Sequence, residues 1–315
     1  MKEILLLLVM FWNVENYFDT YDNPSTSDET FTPAGENHWN WKRFEKKRND
    51  IAKTILLAAD EYGEYPALIG LCEIENSFVL EELTENTPLA RAGYSFLHKD
   101  SPDSRGIDVA LLYRNEIFAP LEEHYIASSF PTRDIILYTK GVLNGLDTIH
   151  IFVNHWPSKR GGDKSSSTKR KIVSHRARQV TDSILQKNPE ANIIMMGDFN
   201  DTWESEPLGN LDHLVNLSRW AEGNEGSYKY RESWSTIDQF LVSENLIKDN
   251  KSHKGEFLRQ WIWCEKKMMI FTANHLLCED EKYLGIKLRR TYSGPRYLGG
   301  ISDHLPIFLQ LHIEE

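Results

Sequence analysis

Nine side chains in this sequence stand where an apolar run ends: Asn13, Glu73, Asp108, His155, Asp198, Asn200, Asp238, Asp303 and His304. By chemistry the set is carboxylate and amide oxygen, with two imidazoles and no thiolate. Hard oxygens of this kind suit Mg²⁺ or Mn²⁺ better than zinc. Imidazoles beside acids suit proton transfer, the acid fixing tautomer and orientation. The densest pair is Asp198 and Asn200, behind the run Asn192-Ile193-Ile194-Met195-Met196-Gly197. Two residues apart, they share one side of the chain while it stays extended. A carboxylate beside an amide can orient a water and hold a phosphate oxygen or a metal ion. A strand followed by Gly-Asp also makes an ordinary turn, so the weight rests on the recurrence of the pattern.

The elements that must position these groups are mostly short apolar strands. Met1 to Phe11 reads as a buried first strand leading into Trp12-Asn13-Val14-Glu15-Asn16. Residues 19–40 are polar and turn-rich, a loop. Lys42 to Ala59 carries Phe44, Ile51, Ile55 and Ala58 at helical steps. Pro66 to Cys72 is a strand delivering Glu73 and Glu75, and Ser77 is expected to cap a short helix through Leu83. Strands are also expected at Asp108–Tyr113, His150–Asn154, Ser235–Val242 and Ile307–Leu311. A helix from about Thr168 to Gln186 has Val173, Ala177, Val180 and Ile184 on one face. Residues 244–290 show no clear period. No linker or composition break divides the chain, so one α/β domain over residues 1–315, with two packed sheets flanked by helices, is expected.

Composition narrows the class. The chain has 315 residues, 40% hydrophobic and 26% charged, with 9 Trp, enough to bury a sizeable core. A net charge of −11 argues against a protein coated in basic residues for non-specific nucleic-acid binding. The 3 cysteines, Cys72, Cys264 and Cys278, are too few and too scattered for a disulfide framework or a zinc site. The apolar start has a Glu in its charged region and no small-residue cleavage site, which favours a strand over a leader. Export is expected only if it is a leader remnant, and a cytoplasmic location otherwise. No segment is long enough to span a membrane, so stable insertion is not expected.

Seven short motifs run in order: Trp12-Asn13-Val14-Glu15-Asn16, Leu71-Cys72-Glu73-Ile74, Arg105-Gly106-Ile107-Asp108, Asn154-His155-Trp156, Gly197-Asp198-Phe199-Asn200, Thr236-Ile237-Asp238 and Ser302-Asp303-His304. Each is weak alone, but in this order the set resembles the endonuclease/exonuclease/phosphatase superfamily, whose fold is that of deoxyribonuclease I. The family usually has Gln before the Glu, where this chain has Cys72. The resemblance implies a four-layer α/β/β/α sandwich of two mainly antiparallel sheets, with the site at one end of the facing sheets. It implies a Mg²⁺-dependent (or Mn²⁺-dependent) phosphoesterase. Glu73 would be the principal metal ligand, with Asn13 beside it and Asp303 in support. Asp198 would orient the attacking water or a second metal, and Asn200 would hold the scissile phosphate. His304 and Asp238 would form a proton-handling dyad. His155 would be a second imidazole on the phosphate, with Asp108 as its acid.

Other residues have blander expectations. Glu75 is expected at the rim, and His38, His98 and His175 on the surface. Trp261-Ile262-Trp263 is expected in the core. The stretch Ser158–Arg178 is rich in Lys and Arg. Its Lys159 and Arg160 follow His155 closely enough to form a phosphate-facing rim. Arg290, ahead of the Asp-His motif, would belong to the opposite wall. Two such rims favour nucleic acid as the substrate of a monomeric nuclease. The acidic net charge favours the alternative, a phospholipid or inositol-phosphate substrate. A silent binding module of the same fold would have no need to keep Glu73 and His304.

Overall fold

The computed structural model describes residues 4–127, 136–159, 163–248 and 262–314. Its centre is two facing sheets. The first, eight-stranded, contains β1 (Ile4–Tyr17), β2 (Leu68–Ile74), β3 (Tyr94–His98) and β4 (Asp108–Arg114). β1 lies between β2, to which it is parallel, and the last strand, Ile307–Glu314, to which it is antiparallel. The second sheet, six-stranded, runs β5 (Phe118–Ile126), β6 (Ile136–Leu143), β7 (Asp147–His155), β8 (Asn192–Asp198), then the strands Asp238–Ser243 and Leu214–Asn216. Among the described residues, only β7 and β8 are parallel there. Both sheets are therefore mixed but mainly antiparallel, as expected.

Side-chain alternation explains why the β8 run is apolar throughout. Ile194 and Met196 join the core between the sheets, while Ile193 and Met195 face the other way, towards Val173 and Ala177. Those two lie on α3 (Asp163–Lys187), which covers the outer face of the second sheet. On the first sheet, α1 (Trp41–Tyr62) buries Phe44, Ile51 and Ile55, with α2 (Ser77–Glu85) beside it. Asn40 caps α1 by accepting from Arg43 N, and Gly63 closes it at φ 81°. The cap of α2 is Asn76, one residue ahead of the expected Ser77, its side chain accepting from Val79 N at 3.1 Å.

The first strand continues past Phe11 to Tyr17 and is buried from Leu7 to Glu15. Ile262 and Trp263 are buried in a short strand, while Trp261 lies outside the described residues. Among the described residues, no helix is long and apolar enough to cross a membrane. Strand direction gathers the chemistry. The ends of β1, β2, β7 and β8 and the starts of β4, Asp238–Ser243 and the last strand all open at one end of the sandwich.

Candidate active site

Gly197 lets β7 and β8 close together, since a Cβ there would lie 2.5 Å from Asn154 O. The residue that follows, Asp198, is the hub. Its Oδ2 accepts from Asn13 Nδ2 at 3.1 Å and lies 3.6 Å from His155 Nε2 and 3.8 Å from His304 Nε2. Its Oδ1 accepts from Asn200 N at 2.9 Å, and Asn200 Nδ2 donates to Trp156 O at 2.9 Å. Asn13 Nδ2 also reaches Glu73 Oε1 at 3.3 Å, so one amide spans two carboxylates from facing sheets.

Glu73 sits at an irregularity in β2, where the register with β4 slips between Cys72 and Ile74. The break turns its carboxylate into the cleft while Cys72 and Ile74 stay buried. Glu73 Oε2 accepts from Asn16 N at 2.9 Å, and Oε1 lies 3.8 Å from His155 Nε2. Glu73 (φ 63°), Glu15 (φ 50°), Asn16 (φ 52°) and Asn200 (φ 52°) are all left-handed. Such strain, on the order of 1–3 kcal/mol per residue, collects at sites whose surroundings over-determine it.

On the neighbouring strand of the same sheet, Asp238 pairs in register with Asp198. Asp238 Oδ2 lies 2.8 Å from His304 Nδ1 and accepts from Ser227 Oγ at 2.5 Å. Burial alone would lower the imidazole, but Asp238 and Asp198, with Asp303 adding, push His304 up to about 10. With Nδ1 committed to Asp238, the proton on Nε2 faces Asp198 and the cleft. The Tyr228 ring leans on this imidazole, centroids 5.0 Å apart.

Behind Asp303 is a network that sequence reasoning did not assemble. Arg290 Nη2 bridges Asp303 Oδ2 and Glu15 Oε1, both at 2.8 Å. Thr291 N donates to Glu15 Oε2 at 2.7 Å. Buried Lys47 donates to Glu15 O, to Thr291 Oγ1 at 2.7 Å and to Ile301 O at 2.8 Å. Burial, then Asp303, raises Glu15 to about 7 against the pull of Arg290 and Lys47. Burial lowers Lys47 to about 8, opposed by Glu15, Glu73 and Asp303. The signal for Lys47 was present: it lies three residues past Phe44 and four before Ile51, on the buried stripe of α1. Ser227 had no comparable signal.

Several expectations are corrected. Asp108 is not the acid of His155. It faces His98 Nε2 at 3.2 Å and accepts from Ser101 N at 2.8 Å, because β3 and β4 are neighbours in the first sheet while His155 ends β7 in the second. His98 is accordingly enclosed, its side chain 3% exposed, rather than on the surface. Glu75 is buried rather than at the rim, where burial, then Asp19, raises its carboxyl to about 9. The basic stretch is largely ion-paired. Arg170 meets Asp201 at 3.1 Å, Lys171 meets Glu206 at 2.7 Å, and Arg178 meets Asp212 at 2.6 Å. Lys159 reaches Asp201 at 3.5 Å, and Arg160 lies outside the described residues. Arg290 stands at the site, held by acids on both sides.

The sequence pattern of the endonuclease/exonuclease/phosphatase family matches residues 8–313. The chain belongs to that family. Its members are hydrolases of phosphate esters that use divalent metal. An endonuclease/exonuclease/phosphatase family protein of Bacteroides thetaiotaomicron is similar in structure, with TM-score 0.63, 15% identity, and 99% of each chain covered. A mannosyl-6-phosphatase of the same organism gives TM-score 0.60 at 15% identity, covering 97% of this chain and 99% of that one. The human nocturnin catalytic domain, bound to sulfate, gives 0.58 at 14%, covering 98% and 96%. No curated protein sequence matches.

The donor set fits the family's use of a divalent metal. Glu73, Asp198 and Asp303 are oxygen donors, Asn13 turns its Nδ2 to the first two while its Oδ1 accepts from Glu15 N at 2.9 Å, and Asp238 Oδ1 is buried without a hydrogen-bond partner. Asp198, Asp238 and His304 also place ligand atoms within 4.8 Å of one another.

Proposed function

We propose that the chain is a metal-dependent phosphoesterase working through the Asp198 hub. The observation that carries this reading is the convergence on one carboxylate oxygen of Asn13 at 3.1 Å, His155 at 3.6 Å and His304 at 3.8 Å. Glu73, with Asn13 and Asp303, would hold Mg²⁺ or Mn²⁺. The ion would act there as a Lewis acid on a phosphoryl oxygen. Asp198 takes a hydrogen bond from the attacking water and aligns it. His304, an imidazolium at neutral pH, donates through Nε2 to the phosphoryl oxygen where charge develops. His155 supplies a second donor from the other sheet, and Asn200 braces the turn that presents Asp198.

Among substrates, the geometry favours a small or terminal phosphate ester over an extended polyanion. Among the described residues, Arg170, Lys171 and Arg178 already face carboxylates, which takes up positive charge that an extended polyanion would use. The mannosyl-6-phosphatase of like fold is in keeping with this preference. The nuclease reading rests on Lys159 and Arg160. The test is hydrolysis of a sugar phosphate, an inositol phosphate, a chromogenic diester and plasmid DNA, with Mg²⁺ and with chelator. Wild type is compared with the Lys159→Ala/Arg160→Ala double variant at low and moderate salt. Small esters cleaved with Mg²⁺ alone, equally by both proteins, support the proposal. Cleavage confined to DNA, lost in the double variant and steeply salt-dependent, would replace it with the nuclease.

A further inference from the structure

The strands that end in His155 and Asp198 run on into separate loops, and one buried side chain of α3 reaches both. Arg170 is 2% exposed. Its Nη1 donates to Pro157 O at 3.0 Å, two residues past His155. Its Nε donates to Asp201 Oδ2 at 3.1 Å, three residues past Asp198. Asp201 in turn offers its backbone O to Gln239 Nε2 at 2.6 Å. Gln239 is 0% exposed and follows Asp238, the acid on His304, and its Oε1 accepts from Asn216 Nδ2 at 2.6 Å.

A guanidinium is costly to take out of water, so a buried one is kept only where it is paired. Arginine also fixes its donors in one rigid plane, where lysine carries a single mobile ammonium. Bonded at two nitrogens to two loops, that plane sets how far apart the loops can stand. Nearer the strand ends, Trp156 N donates to Asp198 O at 2.8 Å and Asn200 Nδ2 to Trp156 O at 2.9 Å. The Trp156 ring meets Phe199 edge-on at 4.9 Å. Arg170 closes this joint further along both loops. Lys159 reaches the other oxygen of Asp201 at 3.5 Å, but its side chain is 56% exposed and adds little.

Resting on the phosphoesterase reading above, we infer that Arg170 is a positioning residue. Through Pro157 O and Asp201 it fixes the spacing of the strand ends that carry His155 and Asp198. Through Asp201 and Gln239, the strand that carries Asp238 joins the same frame. His155 Nε2 and Asp198 Oδ2 stand 3.6 Å apart, and an error of about 1 Å at such a site costs on the order of 10²-fold in rate.

The test uses the full chain as wild type, Arg170→Lys, Asp201→Asn and, as a control, Arg178→Met. Lysine keeps the charge and loses the fork, while asparagine keeps the backbone bond to Gln239 and loses the counter-charge. Arg178 lies on the same helix but pairs instead with Asn210 O and Asp212. Folding is checked by circular dichroism. Amide hydrogen exchange is followed by mass spectrometry over residues 154–159 and 198–203, and kcat and KM are measured on a chromogenic phosphate ester with Mg²⁺. Both clasp variants should exchange about tenfold or more faster in the two loops, with α1 unchanged. They should lose about 10²-fold in kcat with KM within about twofold. Arg178→Met should do neither. Unchanged exchange in the two loops would overturn the clasp, and so would faster exchange across the whole chain, a loss of global stability alone. Faster exchange in both loops with kcat intact would overturn the positioning role. A wild type that cleaves no ester would remove the phosphoesterase reading instead, and the exchange measurement would still decide the clasp.

Discussion

His304 Nδ1 lies 2.8 Å from Asp238 Oδ2, and this contact decides which nitrogen of the ring faces the cleft. An amide at position 238 offers a weaker acceptor, or a donor, to Nδ1 and removes the charge that keeps the ring protonated. Asp238→Asn should lower kcat by roughly 10²–10⁴-fold with a much smaller change in KM. Ser227→Ala, which removes a hydrogen bond to the same oxygen, should give a milder loss of the same kind. A kcat unchanged in Asp238→Asn would remove the dyad from the mechanism.

Glu73→Gln tests the metal. The amide fills the same space and still meets Asn16 N, but it carries no charge for a hard cation. Metal-dependent turnover should vanish while the far-ultraviolet circular dichroism spectrum stays unchanged. Full turnover at the same Mg²⁺ concentration would refute the assignment.

Lys47→Met probes the support behind Asp303. The substitution removes three hydrogen bonds and the second cation, after Arg290, that acts on buried Glu15. Stability should fall by about 3 kcal/mol in urea unfolding, because two buried carbonyls and a hydroxyl lose their donor. Adding Glu15→Gln should recover part of that loss. Strict additivity of the two changes would show that the groups are not coupled.

His150 gives a pH dependence away from the site. Burial, with Lys140 adding, lowers its folded value to about 4, and its Nδ1 meets Tyr138 OH at 2.9 Å. The unfolded chain therefore binds a proton that the folded chain does not. Its contribution is fully present above about pH 6.5 and is lost as pH falls towards 4. The slope should not exceed about 1.4 kcal/mol per pH unit, one proton's worth. His150→Phe should flatten the unfolding free energy across that window, and an unaltered slope would exclude His150 as its source.

Much of the site was legible because its residues abut strong apolar runs. Gly197-Asp198-Phe199-Asn200 and Ser302-Asp303-His304 announce themselves by an acid at the end or start of a buried strand. Pairing was not legible: Asp108 and His155 both mark strand ends, and nothing local says that they belong to different sheets. The strands β3, β5 and β6 were missed for a related reason. β5 lies at a sheet edge with Glu122, Glu123 and His124 exposed, so its apolar signal is diluted. Lys47 was hidden by its type, since a lysine on an apolar stripe reads as a solvated end of the helix until its carbonyl partners are seen.

The left-handed backbone at the site bears on efforts to make the protein withstand heat. Asn16 gives Glu73 only its backbone N–H, so glycine there could relieve strain without removing a ligand. Glu73 and Asn200 have no such freedom, because the Glu73 carboxylate would hold the metal and the Asn200 amide ties the Asp198 turn to Trp156 O. A screen that selects for thermal tolerance alone would favour glycine at those two positions as well, and would recover a sturdier sandwich that has lost its turnover.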